Sequence, residues 1–284
     1  MFVQRLIKSG RTCVLLLVSL FFTRSIFAAE PEPPLMEDWK KDPVRLYPKA
    51  VEALEAQLSR VYDAALADAV QQEHPEDAEA QRRTLAEAQR AWRVWEKADA
   101  AFGAMEAAGS ETVDGINLQV AQRHLYQLRL RIYQLGTSYF AGWEAMPTVA
   151  DDPSEKPGPV TERNWRELAQ CAPKLDLPKI IDFFDGKLER ISRGRRARLP
   201  SEARPAFDAA QAAWKAFHEI DGTYGALTVL GGSGQAVFAM NRHIDQLRLR
   251  IYQLATPFDE GWKEVPEVRL PEKAAALPSP ESGK

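Results

Sequence analysis

Apolar residues recur along the chain at alternating intervals of three and four, the spacing that places side chains on one face of an α-helix. The longest stripe contains Leu85, Ala88, Trp92, Trp95, Asp99 and Phe102. A second stripe with the same spacing contains Phe207, Ala210, Trp214, Phe217, Asp221 and Tyr224. Aromatic residues at this spacing are typical of a packed core. The pattern therefore predicts two long helices, each with one aspartate on its apolar face.

Each of these helices is followed by a glycine-containing loop and a second apolar stripe. The first of these stripes runs from Leu118 to Leu135, and the second from Val237 to Leu254. The local alternation of leucine and arginine would favour a strand, but the three-four period continues for about six turns. Shorter stripes near Val51 and after Pro178 predict a further helix ahead of each pair. The expected fold class is all-α, with antiparallel long helices.

The chain also repeats itself. The nine residues from Gln127 to Leu135 are identical, letter for letter, to those from Gln246 to Leu254. An Ala-Gln-x-x-Trp motif occurs at residues 88–92 and again at 210–214. The spacing between matched positions is 122 residues before the inter-helix loop and 119 after it. We expect a tandem duplication of a three-helix unit, at residues 45–147 and 161–266, and each unit is long enough to have its own core.

The segments outside the two units have other compositions. Residues 1–28 resemble a secretory signal peptide, with basic residues, then an apolar run from Cys13 to Phe22, and a plausible cleavage point before Ala29. The apolar run is too short for a membrane anchor, and Arg24 interrupts it. Residues 148–160 form a Pro- and Gly-containing linker, and residues 267–284 form a tail expected to be disordered. We predict a periplasmic or secreted protein without a membrane span after cleavage.

The net charge restricts the classes of binding partner, and the cysteine count restricts the disulfides. The signal peptide holds four basic and no acidic residues, so its removal changes the net charge from −3 to −7. An acidic exported protein is a poor candidate for nucleic-acid binding and a better one for a cationic partner. Only Cys171 remains after cleavage, so no internal disulfide can form.

The two stripe aspartates each need a partner, because an unpaired buried carboxylate is costly. Counting helical turns back from the loop places residues 121–124 level with Asp99. We therefore predict an Asp99–His124 contact and, in the second unit, an Asp221–His243 contact. A satisfied structural pair is the favoured interpretation, and a proton shuttle is the alternative.

Two arginines lie further along the same helix edges. Arg131 and Arg250 come level with the Trp92 and Trp214 turns, respectively. We predict that each guanidinium stacks on the indole of its own unit and donates to a glutamine, Gln89 or Gln211. No catalytic, phosphate-binding or metal-binding motif is recognisable, so we expect no catalytic residue, metal or cofactor.

These motifs resemble the LprI-type lysozyme-inhibitor domain family of small exported helical bacterial domains. The residues that carry the resemblance are Ala88–Trp92, Ala210–Trp214, Arg131–Leu135, Arg250–Leu254 and the loops with Gly109, Ser110, Gly231, Gly232 and Ser233. Family members commonly have a cysteine pair that ties the last two helices, and neither copy has it here. Aromatic packing must then hold each unit together.

The resemblance implies a non-enzymatic binding protein. Its partner would be a lysozyme-type muramidase, occluded by loops around Gly109 and Ser110 or around Gly231, Gly232 and Ser233. Two alternatives stay open. One is a structural or scaffolding envelope protein with another partner, and the other is an enzyme that uses the predicted Asp–His pairs. The enzyme would need Asp99 or Asp221 in an open cleft.

Overall fold

The computed structural model describes residues 43–70, 75–108, 113–136, 149–151, 158–171, 173–228 and 235–256. These ranges contain seven α-helices and no strand, which confirms the all-α prediction. The helices are α1 Pro43–Val70, α2 Pro75–Ala107, α3 Val113–Gly136, α4 Trp165–Cys171, α5 Pro173–Arg198, α6 Arg204–Leu227 and α7 Gln235–Ala255. Helix α5 begins at Pro173, earlier than predicted, so Pro178 lies within it.

The helices form two sets of three, called here the first unit (α1 to α3) and the second unit (α5 to α7). In each unit the last helix packs against both others, so α3 contacts α1 and α2, and α7 contacts α5 and α6. Arg131 near the end of α3 reaches Gln89 early in α2, whereas Arg123 reaches Asp99 later in α2. The helices α2 and α3 therefore run antiparallel, as predicted.

The two aromatic helices, α2 and α6, pack against each other more extensively than any other helix pair. Trp95 stacks on Phe217 with ring centroids 5.4 Å apart and an interplanar angle of 10°. Phe102 meets Phe207 edge to face at 5.2 Å. Since the position later in α2 faces the position earlier in α6, these two helices are antiparallel. Every residue of the two predicted stripes is buried.

This packing joins the two units into one core. A single hydrophobic cluster contains Trp92, Trp95 and Leu128 of the first unit together with Phe217 and Leu247 of the second. The two units therefore share one core in the described residues, and whether each unit also has a sufficient core of its own stays a prediction. Buried aromatic side chains are the largest contributors to such a core, and here the Trp95–Phe217 and Phe102–Phe207 pairs meet between the units.

The ends of the predicted linker are bound to the second unit. Lys187 on α5 donates to the Val149 carbonyl at 2.5 Å and forms ion pairs with Asp151 at 3.1 Å and Glu162 at 2.9 Å. Helix α4 follows, and its Trp165 packs edge to face on Phe184 at 5.7 Å. Four predicted segments lie outside the described residues: the signal peptide, the middle of the linker, the tail and the glycine-serine loops. None of the described helices is long and apolar enough to cross a membrane.

Candidate functional site

The two stripe aspartates are buried, but their partners are not the predicted histidines. Asp221 accepts hydrogen bonds from Arg242 Nε at 2.7 Å and Arg242 Nη2 at 2.9 Å. In the first unit, Arg123 Nη1 lies 3.7 Å from Asp99 Oδ2 and donates to the Asp99 backbone carbonyl at 3.2 Å. The predicted Asp99–His124 and Asp221–His243 contacts are therefore wrong.

The error has a simple geometric cause. The level estimated from helical turns was correct, because Arg123 lies within the window of residues 121–124. Adjacent helix positions differ by about 100° around the axis, so Arg123 reaches Asp99, whereas His124 contacts Glu96 of α2 and Tyr47 of α1 instead. The dipeptides Arg123-His124 and Arg242-His243 match between the copies, and the arginine is the member that satisfies the carboxylate.

Each aspartate also binds a glutamine of the repeated nine-residue string. Gln127 Nε2 donates to Asp99 Oδ2 at 3.1 Å, and Gln246 Nε2 donates to Asp221 Oδ2 at 2.9 Å. These contacts lie within one unit and occur at matched positions. In the sequence, these glutamines stood out only as part of the repeated nine-residue string. The helix pattern alone does not explain why polar positions of the string are identical in both places.

The second arginine on each aspartate comes from the other unit. Arg131 Nη1 of the first unit donates to Asp221 Oδ1 at 2.9 Å, and Arg250 Nη1 of the second donates to Asp99 Oδ1 at 3.2 Å. The two ion pairs are reciprocal, so each unit supplies the arginine that the other unit's aspartate needs. We call the residues around Asp99 and Asp221 the crossed Arg–Asp clusters.

The same arginines bind the predicted glutamines. Arg131 Nε donates to Gln89 Oε1 at 2.9 Å, and Arg250 Nε donates to Gln211 Oε1 at 2.8 Å, so this part of the prediction is confirmed. The stacking partners differ from Trp92 and Trp214, because each guanidinium lies over a ring of the opposite unit. The observed pairs are Arg131 over Phe217 at 5.1 Å and Arg250 over Trp95 at 5.6 Å.

Two glycines make room for the intra-unit arginines. A Cβ atom at Gly225 would lie 2.3 Å from Arg242 Cδ, and one at Gly103 would lie 2.9 Å from Arg123 Nε. Both glycines stand in matched aromatic-Gly-Ala motifs, and the preceding aromatic ring lies under the guanidinium. The glycines are thus needed for close approach of an arginine to the helix backbone.

Charge balance keeps both carboxylates ionised. Burial alone would raise the pKa of Asp221, but Arg242 and Arg131 outweigh it and hold that pKa well below its usual value. At Asp99 burial opposes Arg123 and Arg250 in the same way, and its pKa is also lowered. Paired carboxylates that stay charged and have exposed fractions of 1 % and 0 % are not available to a substrate. The alternative of an enzyme built on Asp–His pairs is therefore wrong.

The two histidines lie in other clusters. His124 Nδ1 contacts the Tyr47 hydroxyl at 2.5 Å, and its Nε2 lies 2.9 Å from Glu96 Oε1. His243 Nε2 lies 3.1 Å from His218 Nε2, and the His218 ring stacks on Trp214 at 4.7 Å. Burial, with a smaller contribution from His243, lowers the pKa of His218 to about 3. Burial also lowers the pKa of His243, and Asp185 and Glu219 oppose it.

The candidate binding loops can be placed only by the helix ends that flank them. Gly109 and Ser110 follow α2, and Gly231, Gly232 and Ser233 follow α6, all outside the described residues. Because α2 and α6 are antiparallel, Ala108 and Thr228 lie at opposite ends of this helix pair. With Trp95 level with Phe217, they are separated by 24 residues of helix, or about 36 Å.

Comparison with known proteins gives a family match and a structural similarity. No curated protein sequence matches the chain. A crystal structure of an uncharacterized protein from Burkholderia thailandensis is similar over 78 % of this chain and 98 % of its own, with 19 % identity and a TM-score of 0.41. The family resemblance inferred from the motifs is confirmed for the first unit: residues 40–135 match the family described as lysozyme inhibitor LprI.

Proposed function

We propose that the protein is exported and inhibits a lysozyme-type cell-wall hydrolase by steric occlusion, without chemistry of its own. The observation that carries this proposal is the match of residues 40–135 to a lysozyme-inhibitor family. Removal of residues 1–28 would leave an acidic chain, which suits a cationic hydrolase because complementary charge accelerates encounter. Export is tested by the N-terminal residue of the protein recovered from the periplasm or medium, which should be Ala29.

We further propose that the second unit is a second domain of the same kind. The support is the set of matched contacts: Gln127 and Gln246 bind their aspartates at corresponding positions, and Arg131 and Arg250 make reciprocal bonds. A duplicated domain with a shared core is a rigid scaffold, and a rigid surface binds at a lower conformational cost than a flexible one.

The antiparallel core has a consequence for inhibition through loops. Ala108 and Thr228, the described residues that precede the two candidate loops, lie at opposite ends of the central helix pair, about 36 Å apart. One continuous contact with both loops would have to run along the whole helix pair. The proposal therefore predicts either one active loop or two hydrolase molecules on each chain.

The experiment combines binding, inhibition and stoichiometry. Hen-type lysozyme is titrated with the mature protein while cell-wall lysis is followed, and the complex mass is measured by light scattering. Ser110→Trp and Ser233→Trp each place a bulky ring in one candidate loop. The matched control is Val94→Trp, at a 61 % exposed position in the middle of α2.

We expect inhibition to fall in one loop variant, or by about half in each, and to be unchanged in Val94→Trp. Equal inhibition by all three variants would exclude the loops as the contact surface. Absence of binding to any muramidase at micromolar concentration would remove the proposed function itself.

A further inference from the structure

A third polar cluster lies outside the crossed Arg–Asp clusters and is unused by the proposed function. Glu55 on α1, Glu96 on α2 and His124 on α3 converge so that one oxygen or nitrogen atom of each lies within 4.8 Å of the others. The Glu96 side chain is 6 % exposed, whereas Glu55 and His124 are 35 % and 26 % exposed. The cluster therefore has a buried floor and an opening to solvent.

The buried carboxylate has an oxygen without a hydrogen bond. Glu96 Oε1 lies 2.9 Å from His124 Nε2, yet it accepts no hydrogen bond from the described residues. Such a buried acceptor is costly unless a cation satisfies it. Ligand atoms 2.9 Å apart, each about 2.0–2.2 Å from a metal ion, subtend about 90° at that ion. The separation of this pair is therefore one that a single metal ion can bridge.

The neighbouring side chains orient Glu96, Glu55 and His124 by hydrogen bonds, as the ligands of metal sites commonly are. The Tyr47 hydroxyl contacts His124 Nδ1 at 2.5 Å, and a proton on Nδ1 directed at it leaves the Nε2 lone pair free for a metal. Arg93 donates to both carboxylate oxygens of Glu55, at 2.7 Å to Oε1, and to Glu96 Oε2 at 3.1 Å, which leaves Glu96 Oε1 to face the histidine.

The charge of the cluster also admits a cation. Two carboxylates and one guanidinium carry a net charge of −1, and a metal-bound imidazole adds none. Carboxylate oxygens and an imidazole nitrogen are ligands that suit divalent first-row metals such as manganese and cobalt. We propose that Glu55, Glu96 and His124 bind one such divalent metal ion, which joins the three helices of the first unit. Motif searches do not find this site because its ligands are 41 and 28 residues apart on separate helices.

The test uses the full mature chain and Mn²⁺ or Co²⁺ as the probe. Binding is measured by isothermal titration calorimetry and by the shift of the thermal unfolding midpoint, because a ligand that binds only the folded state stabilises it. We expect one metal ion per chain and a raised midpoint. His124→Asn and Glu96→Gln should abolish both effects, and Tyr47→Phe should weaken binding about tenfold by loosening the histidine.

The controls separate this site from other causes. Glu79→Gln removes an exposed glutamate on α2 that pairs with Arg82, and it should leave metal binding unchanged. His124→Asn should retain the wild-type helicity by circular dichroism, so its loss of binding would not reflect unfolding. Absence of Mn²⁺ and Co²⁺ binding at millimolar concentration would overturn the proposal. Metal binding that persists in His124→Asn would also overturn the proposal. The same holds if binding is lost only when His243 of the second unit is replaced by asparagine.

Discussion

The substitution Asp221→Asn tests whether the crossed Arg–Asp clusters hold the two units together. It removes one negative charge and keeps the size of the side chain. Two guanidinium groups would then remain buried without their carboxylate, since Arg131 is 0 % exposed and Arg242 is 7 % exposed. The asparagine amide would also present N–H donors where two arginines already donate.

The expected loss follows from the geometry. Removing one member of a buried, hydrogen-bonded ion pair costs about 3–5 kcal/mol, because the remaining charge is left without a partner. Asp221 accepts from its arginines at 2.7–2.9 Å. The corresponding distances at Asp99 are 3.2 and 3.7 Å, so Asp99→Asn should cost less, about 1–3 kcal/mol. The order of the two losses is part of the prediction.

Urea unfolding followed by tryptophan fluorescence gives the free energy of unfolding of each variant. A double-mutant cycle with Arg131→Met and Asp221→Asn isolates the contact between the units, and we expect a coupling of about 1–3 kcal/mol. The control is the exposed pair Arg196 and Asp208, which is bidentate at 2.7 and 2.8 Å. Its removal should leave the unfolding midpoint unchanged, because solvent screens exposed charges.

Two results would refute the reasoning. A loss below about 1 kcal/mol for Asp221→Asn would mean that the carboxylate is not the buried counter-charge. A coupling near zero between Arg131 and Asp221 would mean that the reciprocal pairing contributes nothing to the association of the units.

Three further predictions concern steric fit, pH and cooperativity. Gly225→Ala should destabilise the protein by about 1–3 kcal/mol in the same urea assay, because its Cβ would displace Arg242. Gly103→Ala should destabilise it less. Equal stability of the two variants would contradict the close approach of Arg242 to Gly225. The pKa of His218 is about 3 in the folded protein and near 6.5 in the unfolded chain. Between these pH values the unfolded chain binds more protons than the folded protein does. The free energy of unfolding should therefore fall as the pH decreases below about 6.5. His218→Gln should flatten that fall between pH 6.5 and 4.5, and an unchanged slope would be evidence against the buried neutral ring. A fragment of residues 29–147 should lack a cooperative thermal transition and near-UV circular dichroism, since its α2 face would lose α6; a fragment that melts cooperatively would show that the first unit has a sufficient core of its own.

The stripe residues and the partner of Asp99 show which features could be predicted from the sequence. The three-four stripes gave the helices and correctly placed Trp95, Phe102 and Phe217 in the core, because periodicity records which side of a helix is buried. Turn counting found the correct level for the partner of Asp99 and selected the wrong side chain. That choice depends on about 100° of rotation and on the reach of arginine, and helical spacing alone does not fix either of them.

The contacts between the units could not be predicted from local sequence patterns. Arg131 and Gln89 could be paired from their levels within one unit, but the pairing of Arg131 with Asp221 joins residues 90 positions apart. The proposed metal ligands Glu55, Glu96 and His124 also come from separate helices. Nothing local in the sequence marks such residues as neighbours, because their proximity depends on how whole helices pack.

The sequence alone therefore determined that the chain is helical, which faces are buried, that one nine-residue string occurs twice, and that the first unit resembles lysozyme inhibitors. Only the tertiary structure decided what the polar residues of Gln127 to Leu135 and Gln246 to Leu254 bind. In both strings a glutamine satisfies the aspartate of its own unit, and an arginine satisfies the aspartate of the other. The physical reason is that a buried charge requires a partner at hydrogen-bond distance, and here the packing of α2 against α6 supplies that partner from across the core.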